Sequence, residues 1–509
     1  MSTLESAILR RLMRTSVNTV VLTELLEPLR DVLPAVEHAG PDPRVTGLCI
    51  DSRRARPGDL FLAAAGSRTD GLSFAREAVE RGAVAVVADR RAELPDSAAF
   101  VRVGDLARAK AVLADAFFGR PSQRLDVVGI TGTNGKTTTS FMLRSILAMD
   151  GRGTGVIGTL GAWIGPRHEP LTNTTPDAVE LQRLLARMVD DNLSAAVMEV
   201  SSHALVQRRV EQVAFDVGVF TNLTPDHLDY HGSMDAYGAA KGRLFELLPD
   251  DGTAVLNAAD PQSRLYRMAT RARVVQYALN APADVSAEIL RLDAEGTLFR
   301  LHAPEFGLDT RVASRLVGRH NVENALAAAA AALALGLPGP AIATGLQGLT
   351  AVPGRLEPVE CGQDFRVLVD YAHTPDALEK VLDLLRPLTR GRLLVVFGCG
   401  GDRDRAKRPL MGRAVAAAAD RLVLTSDNPR SEDPQAILAD IFAGIGPADR
   451  ARAVCEPDRR EAIRQACTAA RPGDVLLIAG KGHETTQVVG SCALPFDDRE
   501  VAREVLWSL

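Results

Sequence analysis

The sequence predicts an α/β protein of three domains, built mainly from parallel sheets with helices on both faces. Short, almost continuously apolar segments alternate with helical patterns along the chain, which is typical of buried parallel strands. A glycine-rich turn, "GITGTNGKTTT" (129–139), joins one such segment to a helical pattern. The length of 509 residues also exceeds what one hydrophobic core supports.

Residues 1–104 predict a small N-terminal α/β domain. The apolar runs "DLFLAA" (59–64) and "AVAVVAD" (83–89) predict strands, and "LSFAREAVERG" between them predicts a helix. No role is assigned to the segment that precedes these runs.

Residues 105–352 predict a central domain of the P-loop type. A helical pattern opens it at 105–119, and the run "LDVVGI" (125–130) leads directly into the glycine turn. The stretch 273–317 alternates more and predicts a β-rich appendage, and 321–336 predicts a closing helix. Further buried strands are predicted at 195–200, 215–220 and 252–257.

Residues 353–509 predict a C-terminal domain with a Rossmann-like, doubly wound sheet. The stretch "AVPGRLEPV" (351–359) carries two prolines and a glycine and predicts a linker. Ligands of such sheets bind at the carboxyl ends of the strands, so motifs that follow strands are candidate sites. Strands are predicted at 365–371, 391–398, 421–426 and 474–480.

The composition excludes several classes of protein. A net charge of −5 gives no overall electrostatic reason to bind nucleic acid. The six cysteines form no C-x-x-C pair, so neither a zinc cluster nor a disulfide framework is predicted. The N-terminus lacks the apolar core of a signal peptide, and no stretch reaches the ~18 apolar residues of a membrane helix. We therefore expect a cytoplasmic protein without a membrane partner.

The glycine turn predicts a nucleotide-binding site whose loop begins differently from the strict P-loop pattern. The strict pattern G-x-x-x-x-G-K-[ST] needs glycine at 130, where this chain has Ile130. The rest of the loop still supplies main-chain amides at a helix N-terminus, a lysine charge and a hydroxyl for Mg²⁺. The predicted nucleotide-binding residues are Gly132, Thr133, Asn134, Gly135, Lys136, Thr137 and Thr138.

Glu199 ends the predicted strand 195–200. A buried carboxylate is costly unless it binds a cation or a donor. Opposite the Thr137 hydroxyl it suits Mg²⁺, which prefers oxygen ligands. Thr137 and Glu199 are therefore candidate metal ligands.

Five further motifs occur in one order along the chain, and this order resembles that of the Mur ligase family, which includes the folylpolyglutamate synthases. The resemblance runs from 129 to the C-terminus and is weaker at "IDSRRARPGDLFLAAAG" (50–66). Within the family, the pattern looks most like the branch that adds the third peptide residue to UDP-MurNAc-L-Ala-D-Glu. The motifs are "TNTTPD" (172–177), "MEVSSHALVQRRV" (198–210), "FTNLTPDHLDYHGSMDAYGAAKGRLF" (220–245), "GRHNVENALAA" (318–328) and "DYAHTPDAL" (370–378).

The resemblance implies ATP and Mg²⁺ as cofactors and Lys136, His227 and Lys241 as catalytic residues. His227 would lie beside the metal and the reacting carboxylate. The family's lysine at the place of Lys241 is carbamylated by CO₂, and the carbamate would offer an oxygen to a second Mg²⁺. This chemistry is reasonable because burial lowers the pKa of a lysine, and a neutral amine adds CO₂.

The resemblance also implies residues around the nucleotide and the nucleotide-sugar substrate. His320, Asn321 and Asn324 would border the adenine, and Arg355 and Asp370 would reach ATP from the third domain after domain closure. Hydroxyls, amides and an arginine suit phosphate and carboxylate oxygens. The UDP-MurNAc-dipeptide would be held by Ile50, Ser52, Ser67, Arg68, Thr69, Asn173, Thr174, Thr175, Ser201, Gln207 and Arg209.

The motifs "GCGGDRD" (398–404), "SDNPRSEDP" (426–434) and "AGKGHE" (479–484) predict the pocket for the incoming amino acid. Meso-diaminopimelate keeps a zwitterionic far end when one amine reacts. Arg430 can grip the far carboxylate with two parallel hydrogen bonds, and a lysine substrate would leave it unpaired. "DNPR" resembles the diaminopimelate-specific branch. Asp427 or Asn428, and Glu484, would accept from the ammonium, and Arg403 would serve the other carboxylate; Pro429 and Gly480 complete the set.

The resulting expectation is an ATP-dependent ligase that forms an acyl phosphate on the D-Glu carboxylate and couples it to the amine, as a cytoplasmic step of peptidoglycan precursor synthesis. Its partners would be small molecules only, and the protein a monomer. One alternative is the same chemistry on lysine or on a folate-type acceptor. Another is a P-loop switch or motor, against which stand Ile130 and the amino-acid pocket of the third domain.

Overall fold

The computed structural model describes residues 19–64, 70–293 and 295–509. The predicted residues Ser67, Arg68 and Thr69 lie outside these ranges. The chain divides into two compact units. The first holds the residues up to Ala287 together with Leu301–Asp309 and Glu323–Gly345, and the second holds Glu288–Arg300, Thr310–Val322 and Leu346–Leu509.

A five-stranded sheet of order β2-β7-β6-β5-β4 opens the first unit. Two of its helices bury leucines against one sheet face, where Leu25 and Leu113 join Val87 and Val101 in one core. Its elements are β1 (Val20–Val21), α1 (Leu22–Val32), β2 (Val36–Ala39), β3 (Arg44–Val45), β4 (Gly47–Cys49), β5 (Asp59–Leu62), α2 (Ala75–Glu80), β6 (Ala85–Ala88), β7 (Ala99–Val103) and α3 (Leu106–Phe117). The helix α3 packs on this sheet and also contacts the helix at 178–190.

A larger, mainly parallel sheet follows, with strands in the order β11-β10-β9-β12-β8-β13-β14-β15-β16. Its strands are β8 (Asp126–Thr131), β9 (Thr154–Gly158), β10 (Gly161–Ile164), β11 (Arg167–Glu169), β12 (Ala195–Glu199), β13 (Val217–Phe220), β14 (Thr253–Asn257), β15 (Arg273–Leu279) and β16 (Val285–Asp293), with β17 (Gly296–Ala303) and β18 (Leu308–Ser314) after them. The helices are α4 (Lys136–Met149), α5 (Ala178–Asp190), α6 (Ser202–Val206), α7 (Leu228–His231), α8 (Met234–Glu246), α9 (Gln262–Ala269), α10 (Arg319–Ala334) and α11 (Gly339–Gly348).

Four neighbouring parallel strands of this sheet, β9, β12, β8 and β13, end side by side. Glu199 is the last residue of β12 and pairs with Ile130 of β8. Because the carboxyl ends meet at one edge, the loops after these strands share one place. The phosphate-loop candidate, Glu199 and the segment around His227 all start from that edge.

The second unit contains a six-stranded sheet of order β19-β20-β24-β21-β22-β23 with helices on both faces. Its strands are β19 (Glu357–Pro358), β20 (Arg366–Asp370), β21 (Leu393–Phe397), β22 (Arg421–Leu424), β23 (Ala453–Cys455) and β24 (Val475–Ala479), and a hairpin follows as β25 (Thr486–Val489) and β26 (Cys492–Pro495). Its helices are α12 (Pro375–Leu388), α13 (Lys407–Ala418), α14 (Pro434–Ala443), α15 (Arg459–Ala469) and α16 (Asp498–Ser508). The first three helices cover one face and the last two the other.

The predicted α/β class with parallel, doubly wound sheets is confirmed. One local prediction was wrong in part. The stretch 273–317 is rich in strands but is not simply an appendage, because β15 pairs in parallel with β14 and extends the main sheet. The predicted linker 351–359 contains the short strand β19, in which Glu357 and Pro358 pair antiparallel with β20. No helix in the described ranges is long and apolar enough to cross a membrane.

Candidate active site

The glycine loop after β8 takes a path that only glycine allows at two points. Gly132 and Gly135 have φ values of 145° and 87°. A Cβ on Gly132 would lie 1.9 Å from Thr221 Oγ1, and one on Gly135 would lie 2.2 Å from Asn324 Oδ1. Ile130 is fully buried within β8, so the loop begins after the strand and needs no glycine there.

Neighbouring side chains hold this loop in place from outside. The Thr221 hydroxyl donates to the Asn134 carbonyl at 2.6 Å, and the Asn134 amide donates to Asn222 Oδ1 at 3.0 Å. Thr133 Oγ1 donates to the Thr224 carbonyl at 3.1 Å. The loop is therefore preorganised at the N-terminus of α4, where main-chain amides favour an anion.

Two lysines converge on one carbonyl of the loop. Lys136 Nζ donates to the carbonyls of Gly132 and Thr133, both at 2.9 Å, and Lys241 Nζ donates to Gly132 O at 2.8 Å. Lys241 is buried, and its amine lies 4.4 Å from the centre of the Tyr237 ring. Burial, followed by the charge of Lys136, lowers the pKa of Lys241 well below its ordinary value. Both effects disfavour the ammonium form of Lys241 relative to a lysine in water.

Glu199 is buried and fully engaged by hydroxyl and amide donors. Its Oε1 accepts from Thr137 Oγ1 and from the Thr159 amide, both at 2.9 Å, and its Oε2 accepts from Thr159 Oγ1 at 3.1 Å. Gly158 allows this approach, because a Cβ there would lie 2.2 Å from Glu199 Oε1. Glu199 and Thr137, the two predicted metal ligands, thus contact each other, and Thr159 adds a second hydroxyl; their binding of Mg²⁺ stays a prediction.

His227 stands on the loop after β13, exposed, with a left-handed φ of 52°. Its Nε2 is 3.4 Å from Asp226 Oδ2, and its ring centre is 4.9 Å from that of His203. The His203 ring in turn lies 4.1 Å from that of Tyr230. Burial, then the neighbouring His227, lowers the pKa of His203. The structure thus adds His203 to this part of the site.

The residues predicted to hold the nucleotide-sugar dipeptide form a connected chain near Glu199. Thr175 Oγ1 donates to the Glu199 carbonyl at 2.8 Å and contacts Ser201 Oγ at 3.3 Å. Arg209 Nη1 donates to the Thr175 carbonyl at 2.6 Å, and its Nε donates to Gln207 Oε1 at 3.0 Å. Thr174 Oγ1 lies 3.2 Å from Thr159 Oγ1, while Asn173 is exposed.

The predicted uridine-side residues lie apart, after β4. Ile50 is exposed, whereas the Ser52 side chain is buried and donates to Glu77 Oε2 at 2.9 Å. The Ser52 hydroxyl therefore already has a structural partner.

The predicted nucleotide residues outside the loop fall in both units. Asn324 of the first unit accepts from Thr139 Oγ1 at 3.5 Å, beside Gly135. In the second unit, His320 precedes Asn321, whose Nδ2 donates to the Val317 carbonyl at 2.8 Å.

Arg355 and Asp370 of the second unit lie near each other at the end of β20. The Arg355 guanidinium is 5.3 Å from the centre of the Tyr371 ring. Asp370 Oδ2 accepts from the Leu356 amide and its Oδ1 from the Ala372 amide, at 2.7 and 2.8 Å. Burial raises the pKa of Asp370, although Arg355 opposes this. Asp370 therefore also fixes the linker to the strand end.

The three acceptor motifs meet at the carboxyl ends of β21, β22 and β24, which are neighbours in the sheet. Arg430 has a left-handed φ of 52° and is held by the hairpin, since its amide donates to Val488 O at 3.0 Å and Gly490 N donates to its carbonyl at 2.7 Å. Its Nη1 donates to the Gly401 carbonyl at 2.8 Å. Arg403 is exposed on the loop after β21.

Of the two ammonium acceptors left open by the sequence, the geometry favours Asp427. Asn428 Oδ1 already accepts from the Val488 amide at 2.9 Å, and its Nδ2 donates to Glu484 Oε2 at 2.8 Å. The buried Asp427 carboxylate accepts no hydrogen bond from residues of the described ranges. Gly480 gives it room, because a Cβ there would lie 2.7 Å from Asp427 Oδ2.

Buried arginines support these loops from behind. Arg408 donates to both oxygens of Glu432 at 2.8–3.0 Å, and hydrogen bonds from Arg408 and the Asp402 amide lower the pKa of Glu432 to about 2. Arg459 donates to the carbonyls of Ser426 and Ala479 at 3.2 and 3.0 Å. Those carbonyls directly precede Asp427 and Gly480.

These features are those of an α/β protein with a candidate nucleotide loop in its first unit and polar and charged side chains gathered at strand ends of its last sheet. Three family descriptions match the chain: "Mur ligase family, catalytic domain" at 44–118, "Mur ligase middle domain" at 130–332 and "Mur ligase, glutamate ligase domain" at 354–482. The chain belongs to the Mur ligase family.

Curated relatives match over nearly the whole chain. A protein of Geobacillus kaustophilus (strain HTA426) is 50% identical over 472 residues, 92% of this chain and 96% of its own. One of Syntrophomonas wolfei is 44% identical over 485 residues, 95% of this chain and 99% of its own. Both are named UDP-N-acetylmuramoyl-L-alanyl-D-glutamate--2,6-diaminopimelate ligase.

Solved structures agree in fold. A structure carrying the same ligase name has a TM-score of 0.69 and 33% identity, covering 96% of this chain and 99% of its own. MurF from Acinetobacter baumannii has a TM-score of 0.66 at 22% identity, covering 91% of this chain and 96% of its own.

Sequence reasoning missed several residues that the structure brings to the site. Thr159 directly follows β9. Ligands of such sheets bind at the carboxyl ends of the strands, so its position could have indicated a role, but none of the quoted motifs contains it. His203 and Lys481 stood inside quoted motifs without an assigned role. Their importance depends on ring contacts and burial, which the sequence does not display.

Proposed function

We propose that this protein is an ATP-dependent ligase that adds meso-2,6-diaminopimelate to UDP-N-acetylmuramoyl-L-alanyl-D-glutamate in peptidoglycan precursor synthesis. Relatives with this printed name share 42–50% identity over more than nine tenths of the chain. The choice of diaminopimelate as the amino-acid substrate depends on Arg430. Its Nε and Nη2 have no hydrogen-bond acceptor among the described residues. A second carboxylate on the substrate would satisfy them.

The proposed reaction has two steps. A D-Glu carboxylate oxygen attacks the γ-phosphorus of ATP, and ADP leaves. The amine of diaminopimelate then attacks the acyl carbon, phosphate leaves with the carbon–oxygen bond electrons, and the amine gives up a proton. The loop amides and Lys136 bind the phosphates and stabilise the charge that develops during transfer.

The residues at the strand ends fit a magnesium ion. The Glu199 carboxylate and the Thr137 hydroxyl, 2.9 Å apart, are oxygen ligands beside the phosphate loop. Bound there, Mg²⁺ would neutralise phosphate charge. Lys241 is proposed as a carbamate ligand for a second ion, and the lowered pKa of its buried amine supports CO₂ addition. His227 is proposed beside the reacting carboxylate.

The remaining assignments are also proposals. His320, Asn321, Asn324, Arg355 and Asp370 would contact the nucleoside part of ATP. Thr175, Ser201, Gln207 and Arg209 are proposed for the nucleotide-sugar dipeptide, which the Thr175–Ser201 contact and the Arg209–Gln207 pair support. Further members of that set are Ile50, Ser52, Asn173 and Thr174.

The acceptor is proposed to bind within the second unit. Arg430 would hold the far carboxylate, Arg403 the other, and Asp427 with Glu484 the ammonium. We further propose three domains, with boundaries near 104 and 352, although the packing of α3 on the first sheet favours a first boundary after that helix. A monomer in the cytoplasm completes the proposal.

Acceptor-dependent ADP formation tests this function. With ATP and UDP-MurNAc-L-Ala-D-Glu, we expect turnover with meso-diaminopimelate and a kcat/KM at least ~100-fold lower with L-lysine, because Arg430 would stay unpaired. Arg430→Ala should lose turnover by a similar factor while ATP still binds. Arg413→Ala, at an exposed arginine of α13, serves as control.

The outcomes separate the alternatives. Equal use of L-lysine, or normal kinetics of Arg430→Ala, removes Arg430 from the pocket. ADP release without any amine acceptor favours a P-loop NTPase instead of a ligase.

A further inference from the structure

Lys481 is a fully buried lysine at the edge of the proposed acceptor pocket. It lies in the loop after β24, between Gly480 and Gly482, and its side chain is 0% exposed. Burying an ammonium is costly unless it is paired and hydrogen-bonded. The Lys481 ammonium therefore needs hydrogen-bond acceptors and a negative charge close to it.

Those partners are two of the proposed pocket residues. Lys481 Nζ donates to Glu484 Oε2 at 3.0 Å and to Asn428 Oδ1 at 3.1 Å. The Val488 amide of the hairpin donates to the same Asn428 Oδ1 at 2.9 Å. Ammonium and backbone amide groups can only donate, so the oxygen of the Asn428 amide must face them.

This fixes the orientation of Asn428 and, through it, of Glu484. With its oxygen turned to Lys481 and Val488, Asn428 points its Nδ2 at Glu484 Oε2, 2.8 Å away. Glu484 Oε2 then accepts two hydrogen bonds, while its Oε1 accepts none from the described residues. One oxygen of the carboxylate is anchored, and the other is left for a ligand.

The charges agree with this arrangement. Burial alone would raise the pKa of Glu484, but the charge of Lys481 and the hydrogen bond from Asn428 outweigh it and hold the pKa below its ordinary value. Glu484 therefore stays ionised near neutral pH, as an acceptor for a substrate ammonium must.

We propose that Lys481 is a positioning residue for the incoming amino acid: it locks Asn428 as a donor and presents a single Glu484 oxygen to the substrate ammonium. This rests on the proposed function, because it places the ammonium of the acceptor at Glu484. Lys481 itself does not touch the substrate. Its loss acts on the acceptor and leaves the nucleotide loop of the other unit untouched.

Lys481→Met tests the proposal, since methionine keeps the unbranched stem of lysine and removes the charge and the donors. We expect the KM for meso-diaminopimelate to rise about 10- to 100-fold, the range for losing charge-assisted hydrogen bonds. The KM values for ATP and for the UDP-linked dipeptide should stay within about twofold. Lys481→Gln keeps one donor for Asn428 Oδ1, so it should show a smaller rise, and it replaces the first variant if that one does not fold.

A double-mutant cycle with Glu484→Gln separates positioning from general damage. If Lys481 acts through Glu484, adding Lys481→Met to Glu484→Gln should change the KM for diaminopimelate by less than about threefold. Lys380→Met, which breaks an exposed pair with Asp376 on α12, is the matched control and should leave all KM values unchanged.

The contradicting results are distinct. A normal diaminopimelate KM in Lys481→Met, or equal rises in all three KM values, overturns the role of Lys481 and leaves the proposed function standing. Fully additive effects of the two substitutions show that Lys481 does not act through Glu484. A wild-type protein that forms no ADP with any amino acid overturns the proposed function and this inference together.

Discussion

At the residue scale, buried ionisable side chains are concentrated near the places where strands of the two larger sheets end. Lys241, Glu199 and Lys481 are all buried, and each is held by specific partners rather than by solvent. A low-dielectric environment strengthens such interactions and penalises any group left without a partner. These side chains are therefore held in fixed positions before a substrate arrives.

Lys241 illustrates the cost of that arrangement and gives a test. Its pKa is lowered in the folded state, so it stabilises the fold fully only above its unfolded pKa of about 10.5 and loses this contribution as pH falls through the folded pKa. In CO₂-free buffer, Lys241→Met should therefore be more stable than wild type at pH ~7. The advantage should shrink by up to ~1.4 kcal/mol per pH unit as pH rises.

Urea unfolding across this pH range measures the effect, and ligase activity should be lost in the same variant. The Gly132 carbonyl keeps its bond from Lys136, so the substitution leaves no orphaned acceptor there. Lys380→Met should show no such pH dependence. A variant less stable than wild type at neutral pH, with no change of the difference as pH rises, would contradict a lowered pKa of Lys241 in the folded state.

At the element scale, helices α15 and α16 secure the acceptor loops from one face of the last sheet. Two ion pairs join these helices, and one of them is buried while the other is exposed to solvent. Arg459 and Asp498 are fully buried, 2.7 Å apart, and Arg459 also donates to carbonyls at the ends of two pocket-bearing segments. Arg460 and Glu504 join the same two helices in solvent, with both side chains more than half exposed.

The two pairs should differ sharply in their contribution to stability. Arg459→Ala leaves the Asp498 carboxylate buried and unpaired, which should cost about 3–5 kcal/mol of unfolding free energy. Arg460→Ala should cost less than about 1 kcal/mol, because water screens and replaces the exposed pair. Urea unfolding of both variants decides this, and similar losses would contradict the assignment of Arg459 as the support of the pocket.

The hairpin β25–β26 has a second element-scale role. Its strand β25 holds Arg430 by main-chain hydrogen bonds in a left-handed conformation, which non-glycine residues rarely adopt. The hairpin is largely exposed and contributes little to the core. Its contacts with Arg430 and Asn428 are what connect it to the proposed pocket.

At the scale of the whole molecule, the chain folds as two compact units. The residues predicted to bind substrates and cofactors are distributed over both units. The candidate phosphate loop with Glu199 and Lys241 belongs to the first unit, and the proposed acceptor pocket belongs to the second. Units with separate cores do not in general unfold as one cooperative system.

We expect calorimetry to show more than one unfolding transition. Meso-diaminopimelate should raise the midpoint temperature only of the transition that belongs to the second unit. A ligand at ~100 times its Kd stabilises its unit by about 2.7 kcal/mol. Hydrogen exchange can assign the transition, because protection should appear at 398–404, 426–430 and 479–490. One transition that shifts as a whole, or protection around the phosphate loop instead, would contradict this division.

The sequence by itself determined the α/β class, the central parallel strands of the sheets and the glycine loop between β8 and α4. These features have local causes. Apolar runs can be recognised directly in the sequence, and glycine is needed at 132 and 135 because the backbone conformations there exclude other residues. The sequence also placed the Thr137 hydroxyl opposite Glu199, since a buried acid at a strand end requires a cation or a donor, and the role of both as metal ligands stays a prediction. Resemblance supplied the candidate roles of His227, Lys241 and Arg430.

Only the tertiary structure decided which strand ends are neighbours, and therefore which side chains meet. It joined β15 to the main sheet, brought Thr159 to Glu199 and His203 to His227, and directed the Asn428 side-chain oxygen to Lys481 and the Val488 amide. The sequence assigned no role to Lys481, whose burial and partners only the tertiary structure shows. Hydrogen-bond direction and burial arise from residues far apart in the chain, and no local pattern records them.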